Sequence, residues 1–300
     1  MIDFVRFDHI SMAVPDLEHQ VDLLERLFGF RESSRFETGE GYLGSTLDVP
    51  GVSEIAWEVL APSSRVSPLY RFLESDLGPG LHHLAVEVRD LAQAAEALVE
   101  ETGVDPRPED ADATDVLYVH PREGGEGILY QIYASGTEPA EPFRDDGEHT
   151  MGIVAVNHVA HAHGGNDELG DWYERLFGLR TIHRSPGPGL DNGFVTRVLE
   201  PPAATAMAPQ LRVEVISPTT SSSFVQRFLE RRGPGMHHVT FEVGDWQRAV
   251  DACAFHDVPI FGERAGATEG VEWREAFIHP RHTGGMLAQF FWQAAPGAWI

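Results

Sequence analysis

Four histidines recur at matched positions along this chain, and imidazole nitrogen is among the commonest protein ligands for metal ions. Each of them is followed 48 to 56 residues later by a glutamate or a glutamine. Two imidazoles together with carboxylate and amide oxygens can hold a divalent ion and leave positions open for a substrate. The spacing therefore predicts metal-assisted chemistry, and the four histidines are His9, His83, His158 and His238.

The segments that carry these histidines show that the chain is a tandem duplication. Residues 78–88, Gly-Pro-Gly-Leu-His-His-Leu-Ala-Val-Glu-Val, return as residues 233–243, Gly-Pro-Gly-Met-His-His-Val-Thr-Phe-Glu-Val. Further segments repeat in the same order: 8–10 with 157–159, 24–30 with 173–179, 57–62 with 213–218, 71–74 with 227–230, 119–122 with 278–281, and 127–131 with 285–289. We predict two homologous domains, residues 1–135 and 153–295, joined by a linker at 136–152 that is rich in Gly, Pro and acidic residues.

Side chains alternate between the two faces of a strand, so the sequence also predicts where each histidine points. In residues 82–88 the apolar Leu84 and Val86 share a face that we expect to pack against helices. This places His83 on the opposite, concave and polar-lined face. The repeated strand places His238 in the same way.

An alternative is that these histidines are structural, because a single buried histidine is more often a hydrogen-bonded core residue than a ligand. Four histidines at equivalent strand positions favour metal binding over coincidence. The neighbouring His82 and His237 are predicted to lie behind the ligands or in the core.

Each half of the chain is itself doubled, since a strand, a helix and further strands follow one another twice within it. In the first half, Arg6–Val14 is predicted as a strand, and the apolar stripe within 17–28 predicts a helix that ends at Gly29. The pattern restarts at Leu81 with a strand and a helix from Asp90 to Glu101. The predicted fold class is therefore α+β, built from four βαβββ modules.

Composition limits the classes of function. A net charge of −25 argues against nucleic acid or an anionic membrane as partner. The absence of lysine excludes Schiff-base chemistry, and one cysteine, Cys253, excludes an internal disulfide or a cysteine metal cluster. No apolar run is long enough to span a membrane. We expect a cytoplasmic protein, a monomer or a homodimer, that acts on a small molecule.

These segments resemble the vicinal oxygen chelate superfamily, which includes glyoxalase I, extradiol dioxygenases, bleomycin-resistance proteins and methylmalonyl-CoA epimerases. The segments 8–10, 58–62, 80–83 and 120–129 most resemble the epimerase family. The resemblance covers nearly all of both halves. It implies glyoxalase-like tandem domains, in which paired modules form two cupped, mostly antiparallel sheets and each module supplies two metal ligands.

The resemblance also implies one divalent ion per active domain, which would be Mn, Co, Ni, Zn or Fe. Residue by residue, it implies two ligand sets: His9, Glu58, His83 and Gln131, and then His158, Glu214, His238 and Gln289. The chain departs from the epimerase pattern because the glutamate comes first and the glutamine second in each set. By the pseudo-twofold relation between modules, this is the same site viewed from the other side.

Glu275, five residues before Pro280, matches the position of the epimerase general base, although it is equally well explained as a solvated acid at a strand edge. The first half has Val116 and Ser45 at that offset, so only the second domain combines ligands with a base. The Arg residues predicted as grips for a substrate carboxylate are Arg197, Arg212, Arg264 and Arg274.

The leading functional prediction is a metal-dependent isomerase, epimerase or glyoxalase-type lyase that moves a proton beside a carbonyl. Glu275 would be the base and Glu214 the partner acid. One alternative is an Fe(II) extradiol-type ring-cleaving dioxygenase with His158, His238 and Glu214 as its facial triad. Another is a metal-free protein that binds an antibiotic or similar small molecule in a cup lined by tryptophans, namely Trp57, Trp172, Trp273 and Trp292.

Overall fold

A computed structural model of the chain describes residues 1–51, 55–106, 115–134, 136, 141–185, 193–202, 210–268 and 270–295. Strands and helices alternate as the repeats predict. The strands are β1 Phe4–Ala13, β2 Arg31–Glu37, β3 Tyr42–Asp48, β4 Ala56–Pro62, β5 Gly80–Val88, β6 Val116–Val119, β7 Leu129–Tyr133, β8 Ile153–Ala162, β9 Arg180–Arg184, β10 Phe194–Glu200, β11 Arg212–Pro218, β12 Gly235–Val243, β13 Ile260–Thr268, β14 Val271–Ile278 and β15 Ala288–Gln293. The helices are α1 Leu17–Leu23, α2 Leu69–Leu73, α3 Leu91–Thr102, α4 Asn166–Phe177, α5 Phe224–Arg232 and α6 Trp246–Phe255.

The strands form two sheets, one for each repeat. The seven-stranded sheet has the order β2-β3-β4-β1-β5-β7-β6, and the eight-stranded sheet has the order β13-β14-β15-β12-β8-β11-β10-β9. β5 pairs in parallel with β7, and β12 pairs in parallel with β15. The hairpins that flank them are antiparallel. The predicted α+β class with two mostly antiparallel sheets is confirmed.

Polar caps set the helix ends where the sequence predicts them. The Asp16 carboxylate accepts a hydrogen bond from the backbone N–H of His19 at 3.1 Å and begins α1. The predicted helix does reach Gly29, whose φ of 73° needs a residue without a Cβ. Its last turn, Leu24–Phe28, is a π-helix, which the apolar spacing did not reveal.

The chain forms two compact units, and each contains segments of both repeats. The first unit comprises Met1–His9, His82–Glu138 and Val159–His237. The second comprises Ile10–Leu81, Pro139–His158 and His238–Ile300. The predicted domain limits at 1–135 and 153–295 follow the repeats and stay a prediction, and residues 135 and 137–140 at the predicted junction lie outside the described part of the chain.

Each unit has its own aromatic core. In the first unit, Tyr130 packs against Trp172 and Phe177 with ring centroids 5.9 and 5.6 Å away. In the second unit, the Phe241 ring lies 5.2 Å from that of Phe28 and 6.0 Å from that of Trp57. Aromatic side chains bury large apolar areas, so these clusters stabilise the faces of the sheets that carry the helices.

Two predictions from composition can be compared with the structure. Cys253 is buried in α6 as a free thiol. Among the described residues, no helix combines the length and the apolar character needed to cross a membrane.

Candidate metal centres

The first candidate centre, called site 1, lies on four neighbouring strands of the seven-stranded sheet. His9 is on β1, Glu58 on β4 and His83 on β5. One possible ligand atom from each of the three residues lies within 4.8 Å of the others. Gln131, on the adjacent β7, hydrogen-bonds to His83. The sheet order therefore brings all four predicted residues together.

The second candidate centre, called site 2, has the same arrangement in the eight-stranded sheet. Potential ligand atoms of His158 on β8, Glu214 on β11 and His238 on β12 also lie within 4.8 Å of one another. Gln289 on β15 is linked to them through Thr240, whose hydroxyl lies 2.7 Å from Gln289 Oε1 and 2.8 Å from His158 Nε2.

Hydrogen bonds orient the imidazoles of site 1, and burial keeps one of them neutral. His9 Nδ1 donates to Asp8 Oδ2 at 2.8 Å, and His9 Nε2 lies 3.2 Å from His83 Nε2. Burial, reinforced by the neighbouring His9 and His82, holds the pKa of His83 well below its usual value. His83 is therefore neutral, as metal coordination requires.

The Thr240 hydroxyl joins two of the candidate ligands of site 2. His158 Nδ1 donates to Asn157 Oδ1 at 2.9 Å, which turns His158 Nε2 towards the site. The Thr240 hydroxyl donates to Gln289 Oε1 and lies within hydrogen-bonding distance of His158 Nε2. Each site brings two imidazoles and a carboxylate to within 4.8 Å of one another, with an amide side chain beside them. Both donor sets thus fit a divalent ion.

Glu275, the predicted base, lies directly beside the ligands of site 2. Gln289 Nε2 donates to Glu275 Oε2 at 2.8 Å, and Arg264 on β13 forms an ion pair with the same carboxylate. The side chain of Glu275 is 14% exposed, which does not fit a solvated strand-edge acid.

Strand register identifies the counterparts of Glu275 in the other modules. Glu275 lies two residues before Phe277, the residue of β14 that pairs with the ligand Gln289. The residues two positions before the partner of the corresponding ligand are Val116 in β6, as predicted, Gly44 in β3 and Thr196 in β10. The prediction of Ser45 for the first module is wrong, because Ser45 lies on the other face of β3 and donates to Glu32 at 2.6 Å. Glu275 is the one carboxylate among these four positions, all of which the structure describes.

His82 and His237 lie behind the ligands, as predicted. His82 Nδ1 is 3.0 Å from His83 Nδ1, and the His237 ring lies 4.8 Å from that of Phe228. Burial lowers the pKa of each to about 4. Both are therefore neutral packing residues near pH 7.

The four arginines predicted to bind a substrate carboxylate differ in their burial and in their position relative to site 2. Arg197 is buried and ion-paired with Asp171 and Glu174, which commits it to the fold. Arg212 is also buried, on β11. Arg274 is exposed and points to the face of β14 opposite Glu275, so Arg264 alone lies beside the candidate base.

The predicted aromatic cup is only partly present. Trp57 and Trp172 are buried in the cores of the two units, where neither can contact a ligand. Trp273 shares the face of β14 with Glu275 and Phe277, and Phe277 lies 6.0 Å from the His238 ring.

Sequence reasoning missed Thr240, Phe277 and the partners of the histidine Nδ1 atoms, Asp8 and Asn157. Thr240 lies two residues after His238 in the same strand, so alternation puts both on one face, which was a usable signal. The polar residue that precedes the first histidine in each repeat was a second signal.

Comparison with known proteins identifies the family of this chain. A profile of the Glyoxalase/Bleomycin resistance protein/Dioxygenase superfamily matches residues 8–118 and 157–277, and the chain belongs to this superfamily. Methylmalonyl-CoA epimerase of Dictyostelium discoideum is 29% identical over 130 residues, covering 42% of this chain and 76% of the relative. Ethylmalonyl-CoA/methylmalonyl-CoA epimerase of Cereibacter sphaeroides is 28% identical over 123 residues, covering 39% and 90%.

A solved structure extends the similarity to the whole chain. A variant of 4-hydroxymandelate synthase from Streptomyces coelicolor superposes with a TM-score of 0.73 at 14% identity, covering 100% of this chain and 95% of the other. At this identity the match shows a shared fold. The predicted glyoxalase-like tandem fold is thereby confirmed.

Proposed function

We propose that this chain is a divalent-metal-dependent isomerase, epimerase or lyase that moves a proton beside a carbonyl group, with site 2 as its working centre. The contact between Glu275 and Gln289 carries the proposal, because it puts a carboxylate next to a complete set of candidate ligands. The two epimerase relatives support the reaction class.

Each residue of site 2 has a role in this proposal. His158, Glu214, His238 and Gln289 would hold the ion, which would act as a Lewis acid on two vicinal substrate oxygens and acidify the adjacent C–H. Glu275 accepts that proton, and the Gln289 amide and Arg264 hold its carboxylate in place. Glu214 is the second carboxylate of the site and is our candidate for returning a proton.

Site 1 has the same types of ligand but no base at the counterpart of Glu275. Val116 occupies the position in β6 and Gly44 the one in β3. We propose that site 1 binds a metal ion without turning over the substrate.

A second candidate function is an Fe(II) dioxygenase. His158, His238 and Glu214 supply two imidazoles and one carboxylate, the composition of a facial triad. The shared fold with 4-hydroxymandelate synthase is compatible with this reading. Glu275 has no role in such a triad, so we rank this function second.

Metal analysis with an isotope-exchange assay tests the proposal. The purified chain, His9→Ala and His158→Ala would be analysed by mass spectrometry for metal, and each variant should lose the ion of its own site. Incubation in D₂O with methylmalonyl-CoA and a panel of 2-oxo and 2-hydroxy acids should give deuterium incorporation that His158→Ala abolishes and His9→Ala retains. Bound iron with O₂-dependent product would instead select the dioxygenase. Failure to bind Mn, Co, Ni, Zn or Fe after reconstitution would refute both and leave the metal-free binding protein.

A further inference from the structure

The two candidate sites differ in the residue that accepts the hydrogen bond from the first histidine. Asp8 precedes His9, and Asn157 precedes His158 at the same position of the second repeat. His9 Nδ1 lies 2.8 Å from Asp8 Oδ2, and His158 Nδ1 lies 2.9 Å from Asn157 Oδ1. The acceptor is therefore a carboxylate in site 1 and an amide in site 2.

The orientation of the Asn157 amide is fixed by a second contact. Asn157 Nδ2 donates to the Glu242 carboxylate at 3.4 Å, so Oδ1 faces His158. Both first histidines consequently donate through Nδ1 and present Nε2 to their site. The difference between the sites lies in the acceptor and not in the histidine tautomer.

The carboxylate of Asp8 is held as an anion by its surroundings. Arg6 Nη2 lies 2.5 Å from Asp8 Oδ1, Arg6 Nε lies 2.7 Å from Glu87, and Tyr133 also hydrogen-bonds to Asp8. The side chains of Arg6 and Asp8 are 9% and 15% exposed, so water screens this group little.

The corresponding surroundings in site 2 are neutral at the point of contact. Ala155 occupies the position of Arg6, and Glu242 occupies that of Glu87. Glu242 receives hydrogen bonds from the amides of Asn157 and Gln293, the latter at 3.1 Å. These named groups have the same net charge of about −1 in both sites, but in site 2 an amide separates the carboxylate from the histidine.

A carboxylate that accepts the Nδ1 proton makes the other imidazole nitrogen a better donor to a metal ion, and loss of such a partner typically lowers affinity about 10–100-fold. We propose that site 1 is the tighter metal site and site 2 the weaker and more Lewis-acidic one, because Asp8 supports His9 where Asn157 supports His158. Arg6 is ion-paired with Asp8 and so weakens the pull of the carboxylate on the His9 proton. We therefore expect the metal affinities of the two sites to differ by about tenfold, the lower end of that range. This inference rests on the ligand sets of the proposed function.

The proposed difference in metal affinity agrees with the position of the candidate base. A strongly held ion suits site 1, which has Val116 where site 2 has Glu275. A less electron-rich ligand set leaves more positive charge on the ion in site 2, where that charge would acidify a substrate C–H.

Chains with one intact site test the proposal through affinity, independently of catalysis. The double variant His158→Ala with His238→Ala retains site 1, and His9→Ala with His83→Ala retains site 2. The Kd for Mn²⁺ and Zn²⁺ would be measured by competition with a chromophoric chelator. Site 1 should bind about tenfold more tightly, and Asp8→Asn in the site 1 chain should weaken it about tenfold.

A matched control removes the same charge elsewhere. Asp22 is ion-paired with Arg26 on the exposed side of α1, and Asp22→Asn should leave Kd within about twofold. Equal Kd values for the two single-site chains, or an unchanged Kd in Asp8→Asn, would overturn this inference while the proposed enzyme stands. Absence of metal binding to the site 2 chain would overturn the proposed function itself. The comparison of the two single-site chains does not require the Asp8 variant to fold.

Discussion

The role of Glu275 can be tested with a substitution that keeps the shape of the site. In the parent chain Gln289 Nε2 donates to Glu275 Oε2 at 2.8 Å. Glu275→Gln removes the carboxylate but leaves an oxygen that can accept this hydrogen bond. Loss of a general base costs about 10²- to 10⁴-fold in rate. This corresponds to about 3 to 5 kcal/mol in the activation barrier. Deuterium incorporation from D₂O should fall by that factor.

The structure also predicts what this substitution leaves unchanged. The ion pair of Glu275 is with Arg264, whose side chain is 51% exposed, so its loss should change the free energy of unfolding by less than about 1 kcal/mol. Glu275 is not among the proposed ligands, so the metal content should match that of the parent chain. Glu272→Gln removes the same charge from an exposed position on β14 and should retain the parent rate. A Glu275→Gln chain that keeps its metal and more than a third of the exchange rate would refute the assignment.

Three further predictions concern stability. The Tyr173 hydroxyl lies 2.9 Å from His161 Nδ1 and 2.6 Å from the Tyr130 hydroxyl, so Tyr173→Phe should lower the free energy of unfolding in urea by about 1–3 kcal/mol. Tyr70 is half-exposed, so Tyr70→Phe should change that free energy little. Equal effects of the two substitutions would contradict a stabilising role for the buried hydrogen bonds of Tyr173. A Cβ at Gly127 would meet the carbonyl oxygen of Pro234 at 2.2 Å, whereas one at Gly103 would meet nothing within 4 Å. Both glycines have positive φ, so the two Ala substitutions share the backbone strain and differ in this contact. Gly127→Ala should therefore lower the free energy of unfolding by about 1–3 kcal/mol more than Gly103→Ala. Burial lowers the pKa of His161 to about 3, so the unfolded chain takes up a proton near pH 6.5 that the folded chain does not, and stability is lost as the pH falls from 6.5 towards 3. His161→Met introduces the residue that the first repeat has at the same position, Met12. It should reduce the slope of the unfolding free energy against pH between pH 6 and 4 by about 1.4 kcal/mol per pH unit. An unchanged slope would argue against a neutral His161.

Much of the site was predictable because duplication samples each position twice. The strand alternation at His83 and His238, and the recurrence of Glu or Gln after each histidine, identified the two groups that the sheets bring together. Helix limits followed from local caps such as Asp16 and Gly29. These signals are either local, within a few residues, or visible as an internal repeat, so a single sequence is enough to read them.

Other features depend on contacts between distant segments and were not predictable. The offset from a proline misplaced the first-module counterpart of Glu275 at Ser45, because the register of β3 against β4, and not distance along the chain, decides which side chain faces the site. The hydrogen bonds of Tyr130 and Tyr173 join residues 43 positions apart, and no local pattern indicates them.

The mixed composition of the two compact units has a consequence for folding during synthesis. The first unit ends at His237, whereas the second requires the segment His238–Ile300 to pack against residues made at the very start. At about 5–20 residues per second, the ribosome needs roughly 9–37 s to pass from Trp57 to Phe241. During this interval Phe28, Phe30 and Trp57 lack Phe241, the ring that packs against them in the folded protein. We expect nascent chains to recruit a chaperone to the first repeat and to release it only when the second repeat is complete.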